Sequence, residues 1–180
     1  MMLARHHEAA SHAPSHCASP EPLRTASTGT ALLWLDVSRG AQFALITAPL
    51  FLIWEIAHLP LYTIWRDQPF RESITAAIHC TFGDVAVAFA CFVIASILIR
   101  FIYVTKTALM FGGLVIVLGV TATASLEILS TQVLSRWSYA PAMPVLPVLG
   151  IGLSPLLQWI FVPAIALGLL ARVSKQRHAG

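Results

Sequence analysis

An all-α integral membrane four-helix bundle is the fold class this sequence predicts, and three observations predict it. Hydrophobic side chains make up 57% of the 180 residues and charged ones only 11%, whereas soluble domains carry about 25% charge. Mean hydropathy is +0.77. The apolar residues gather in four runs, at 41–65, 74–99, 108–130 and 145–171, each as long as the ~20 residues a helix needs to cross ~30 Å of hydrocarbon. So little charge cannot cover a soluble surface of this size. Disorder of the whole chain is excluded by its apolar content, and three cysteines do not make a disulfide scaffold.

Residues 1–29 are expected to form a disordered cytoplasmic tail, because they are rich in Ala, Ser, His and Pro and contain no apolar run. A secretory signal is not expected, since no apolar stretch and small-residue cleavage site follow the first basic residues. Segment 30–40 contains ALLWLDV, too short to span, and reads as an interfacial helix with Trp34 at headgroup level. The transmembrane domain covers 41–172 and a short cytoplasmic tail 173–180. Helices are the reading for all four runs, because hydrocarbon offers no partner for an unpaired backbone group, and no barrel-like alternation is present. Pro49 and Pro60 mark possible kinks in the first span. The fourth contains Pro147, Pro155 and Pro163, with GIGLSP before the second of these, and is expected to be a Pro/Gly-broken helix lining protein or a watery cavity.

Basic residues set the orientation. Arg5, Arg24, Arg39, Arg100, Lys106, Arg172, Lys175 and Arg177 fall on one side, and only Arg66, Arg71 and Arg136 on the other. Both termini are therefore expected in the cytoplasm of a cell with this as its inner (plasma) membrane, with Trp65, Trp137 and Tyr139 at the outer boundary.

Five polar groups lie inside the runs: Glu55, His58, His79, Asp84 and Glu127. A charge near the bilayer centre costs ~2.5–3.5 kcal/mol on insertion scales, so such groups face one another, water or a ligand. At 1.5 Å per residue, His58 and His79 lie ~10 and ~9 Å below the outer boundary, and Glu55 and Asp84 ~15 and ~16 Å below it. Glu55, His58 and Tyr62 share one stripe of the first span, and Thr123, Glu127, Ser130 and Thr131 one stripe of the third. His79 and Asp84 sit about 140° apart on an ideal helix, which argues against a single-point site. These residues define a candidate acid/base or relay site, with Glu55 and Asp84 as proton acceptors, the two histidines as relays and Glu127 as gate or orienting group. Tyr62, Tyr139 and Gln158 are its candidate ligand-lining side chains.

The chemistry that site performs stays open between classes. Carboxylates beside histidine can pass protons near neutral pH, which suits proton-linked handling of a small or lipid-like ligand, by movement, isomerisation or hydrolysis. Glu55-x-x-His58 matches half of a carboxylate-bridged metal site, and His58 with His79 matches a haem-ligand pair. The residues identify no cofactor or metal site. A non-catalytic subunit or scaffold, with the same groups holding helix register, is the remaining alternative. The tail histidines with Cys17 read as solvated. No phosphate loop, Ser-His-Asp set, thiol-redox motif or nucleic-acid module is visible, so the expected partners are the lipid bilayer and a small or lipid-like ligand, with no nucleic acid, and oligomeric state and whether the protein is an enzyme are left open. The segments WEIAHLPLY, HCTFGD, WSYAPAMP and GLSPLLQW resemble a group of small four-span bacterial inner-membrane proteins with no assigned function. That resemblance implies architecture and location, and no activity.

Overall fold

The computed structural model describes residues 24–102 and 108–179. Five helices occur in the order α1 (Arg24–His58), α2 (Ile64–Asp67), α3 (Phe70–Ile102), α4 (Ala108–Ile128) and α5 (Leu153–Ala179), with two short strands, β1 (Val145–Leu146) and β2 (Ile151–Gly152), before α5. Four of them, all but α2, are long and apolar enough to cross a membrane. The chain is an all-α, multi-pass membrane protein. The expected tail falls mostly on residues 1–23, outside the described residues, as do Cys17, its neighbouring histidines, Tyr103 and Lys106.

Helix ends follow backbone chemistry. Pro60 cannot donate a helical hydrogen bond and disfavours helical geometry in the residue before it. Accordingly α1 stops at His58 and the chain continues as one 3₁₀ turn, Leu59–Leu61. Proline next to a helix start costs nothing, since the first N–H groups have no intrahelical acceptor. Pro69 precedes α3, and its carbonyl accepts from the N–H of Glu72 and Ser73. α4 runs into a wider π turn, Leu129–Val133, closed by Leu134 N–H on the Leu129 carbonyl.

Two boundaries differ from the apolar runs. The segment read as a separate interfacial helix is the first part of α1, which starts before the hydrophobicity does. This places Asp36 within the bundle, buried and ion-paired to Arg100 of α3. At the other end, the run beginning at 145 is a hairpin, not helix, until residue 153. Val145 pairs with Gly152 and Leu146 with Ile151, Pro147 sits in the connection, and Gly150 adopts φ +65°, a conformation that glycine takes without a Cβ penalty. From Leu153 the fourth span is assigned as one helix, with Pro163 inside it.

α1 packs against α3 and α5, and α4 closes the bundle against the same two helices. The core lies where they meet: Phe43, Phe51, Phe92, Val115, Trp159 and Val162 are buried together with the small residues Ala88, Ala95 and Ala166. Phe51 and Trp159 rings lie 5.2 Å apart. Phe82, Phe101 and Leu109 point outward, each more than 70% exposed. An apolar exterior around a packed interior is what lipid requires.

Candidate functional site

The last turn of α1 places Glu55 and His58 on one face, three residues apart, with His58 Nε2 3.2 Å from Glu55 Oε2. The first turns of α5 supply two further groups, spaced by one turn. Ser154 Oγ lies 3.0 Å from His58 Nδ1. The Gln158 amide donates to Glu55 Oε1 at 3.1 Å and to Asp84 Oδ2, from α3, at 3.0 Å. A continuous chain, Ser154–His58–Glu55–Gln158–Asp84, thus joins three helices. Glu55, His58, Ser154 and Gln158 are all buried, so each depends on the others to satisfy its polar atoms. Both ring nitrogens of His58 are engaged, which leaves neither free for a metal or haem iron in this arrangement. Among the described residues, no group of three or more His, Cys, Asp or Glu is placed to hold a metal ion.

Glu127 of α4 forms a second cluster. One oxygen accepts a hydrogen bond from the Tyr139 hydroxyl, and the other faces the Tyr62 hydroxyl at 3.5 Å. The 59–63 break makes this cluster possible. Backbone freed by Pro60 pairs with the 134–144 loop: Thr63 N–H donates to Ser138 O at 3.0 Å and Ala140 N–H to Leu61 O at 2.9 Å. That bridge sets Tyr62 opposite Tyr139, with rings 5.6 Å apart. Burial and the bond to Glu127 push the Tyr139 phenol up to about 12.

Both clusters border one cavity of about 280 Å³. Glu55, His58, Tyr62, His79, Asp84, Glu127 and Gln158 all line it, so the five polar groups expected inside the membrane meet one space. They do not form one point. His79 borders the cavity but is exposed and takes no part in either hydrogen-bonded cluster. Tyr139 stands behind Glu127 and is not part of the lining. Cys80 and Gly83 of α3 contribute wall, and a Cβ placed on Gly83 would meet no atom within 4 Å. Arg136 and Trp137, from the loop after α4, line it as well.

Two participants escaped the sequence. Ser154 lies 96 residues from its partner His58, and its only local signal is a hydroxyl just before a proline at a helix start. Arg136 was legible only as a loop charge. No family model, curated protein or solved structure matches this chain, so the chemistry of the site is read from its own geometry.

Proposed function

We propose that this protein handles a small or lipid-like ligand at an intramembrane acid/His cavity, with proton transfer among Glu55, His58, Asp84 and Glu127. It would do so in a bacterial inner membrane, with both termini cytoplasmic and the cavity toward the extracytoplasmic face. The observation that carries this reading is the hydrogen-bonded chain from Asp84 to His58 along one wall of the cavity. Gln158 has two amide N–H donors, and they serve two carboxylates. Two acids thus share a neutral amide beside open space. Protons entering that space have acceptors within reach of a histidine, which is the arrangement general acid–base chemistry needs.

The test is infrared difference spectroscopy of the protein in lipid on a pH step. Carboxylic C=O bands should appear and be lost separately in Glu55→Gln and Asp84→Asn, with each variant also shifting the other residue's band. Folded, inserted variants with an unchanged spectrum refute the reading. A second reading, that these bonds serve register alone, draws on Glu127, whose two oxygens each face a tyrosine. It expects the same substitutions to prevent insertion or unfold the bundle.

A further inference from the structure

At the end of the bundle away from the acid/His cavity, a second cavity of about 300 Å³ lies between α1, α3 and α4. Its charged wall is Asp36 and Arg39 from α1 with Arg100 from α3, and its apolar wall is Phe92, Ile99 and Phe111. Phe92 belongs to the bundle core and Phe111 packs on it, with rings 4.9 Å apart. Charge in this cavity does not cancel. Asp36 is buried and ion-paired to Arg100. Arg39, a neighbour of Asp36 one turn along the same helix face, is exposed and makes no ion pair among the described residues. The acid nearest to it in the chain is already taken. Ser96, also in the wall, spends its hydroxyl on the Phe92 carbonyl at 2.9 Å. Two guanidinium groups thus stand against one carboxylate, a surplus of one positive charge.

We propose that this cavity holds the phosphate of an anionic phospholipid, with Arg39 as its principal ligand and Arg100, fixed by Asp36, as its positive wall. The inference goes beyond the acid/His cavity and does not rest on it. Depth supports a headgroup. Arg39 stands two residues before the apolar run 41–65, and Arg100 directly follows the run 74–99, so both guanidinium groups lie where hydrocarbon gives way to phosphates. Basic pockets between helices at that level are headgroup sites. The planar fork of arginine matches phosphate oxygens with two parallel N–H donors. A phosphodiester carries one negative charge, which the surplus in the cavity balances. A choline headgroup adds an ammonium beside two guanidinium groups, so a lipid of net negative charge fits better than a zwitterionic one. Free phosphate satisfies the arginine but leaves Phe92, Ile99 and Phe111 uncovered, whereas a lipid brings glycerol and acyl chain to them. Trp34, Phe101 and Leu109, at the same end, are each more than 70% exposed and give acyl chains an apolar surface to lie along.

The experiment titrates the full chain, in a mild non-ionic detergent, with dioleoyl phosphatidylglycerol or dioleoyl phosphatidylcholine, and counts bound lipid by native mass spectrometry. One phosphatidylglycerol should bind saturably, at least ~5-fold more tightly than phosphatidylcholine, the worth of one basic residue beside an anionic headgroup. Arg39→Gln changes an exposed side chain and spares the Asp36–Arg100 pair. It should weaken phosphatidylglycerol at least ~10-fold, as the loss of a hydrogen bond to a charged group does. Arg172→Gln removes a basic residue near the far end of α5, outside the cavity, and should weaken it by no more than ~5-fold, the scale of diffuse attraction. Millimolar inorganic phosphate should not displace the lipid. Equal affinity for the two lipids, or equal losses in Arg39→Gln and Arg172→Gln with both variants folded by circular dichroism, overturns the proposal. Displacement by inorganic phosphate that depends on Arg39 makes free phosphate the ligand and overturns the lipid as its source.

Discussion

A tyrosine that donates to a carboxylate must keep its own proton, and Tyr139 is held in that state. Its hydroxyl bonds Glu127, and burial with that bond pushes the phenol up to about 12. In the unfolded chain it ionises near its ordinary value of about 10. The folded form therefore binds the proton more tightly, and its contribution to stability is complete below about pH 10 and lost as pH rises to about 12. Titration of tyrosinate absorbance should show one step near 12 that Tyr139→Phe removes. A Tyr139 step at the ordinary value would mean that the contact with Glu127 does not hold. The same residue shows how far single positions could be read. Tyr139 and Tyr62 were legible as aromatic residues at the outer boundary, but what they touch depends on a backbone bridge between 59–63 and 138–140. Pairing across 77 positions of chain leaves no periodic trace. Ser154 is the sharper case, because a serine before proline has the same local pattern whether or not a histidine waits beside it.

Between elements, α4 approaches α5 closely at Gly119. A Cβ there would lie 2.0 Å from the Trp159 ring, which is fully buried against Phe51. Small residues at such crossings let membrane helices pack by direct contact, in place of the hydrophobic drive that lipid removes. Gly119→Ala should destabilise the bundle by about 1–3 kcal/mol, the usual cost of overpacking, and Gly119→Leu by more. Gly83→Ala should be nearly neutral, since its Cβ enters open space. Thermal unfolding in detergent measures all three, and equal losses at both glycines would contradict the packing. The four spans were legible because hydrocarbon imposes helix on any long apolar run. Their ends were less so, because hydropathy does not distinguish a helix from a hairpin. Residues 145–152 are apolar enough to extend a span, yet the Pro147 and Gly150 turn takes them out of it. At α1 the reverse holds: the helix continues through a polar stretch because Asp36 finds Arg100 across the interface.

Over the whole molecule, basic residues are divided unevenly between the two ends, and the cavity lies at the end with fewer of them. All eleven lysines and arginines lie outside the apolar runs, while Glu55, Asp84 and Glu127 line the cavity. The two ends differ in closure as well. At one, the Asp36–Arg100 pair ties α1 to α3. At the other, the 134–144 loop caps a space with Arg136 and Trp137 in its wall. If the loop end is extracytoplasmic, Cys80 is the residue that reports it, since it lines the cavity from α3 while Cys91 is buried in the core. In a Cys17→Ser, Cys91→Ala background, a charged, membrane-impermeant methanethiosulfonate added to intact spheroplasts should modify Cys80. Added to inside-out vesicles it should react at least tenfold more slowly. Gly83→Trp places an indole in the open space next to Cys80, one turn away on the same helix, and should slow the reaction from the permissive side by a similar factor without lowering the melting temperature as Gly119→Leu does. Faster labelling in inside-out vesicles would invert the topology and put the acid/His cavity in contact with the cytoplasm. Equal labelling from both sides would make the cavity a through-path, with the hydrogen-bonded chain from Asp84 to His58 along its wall.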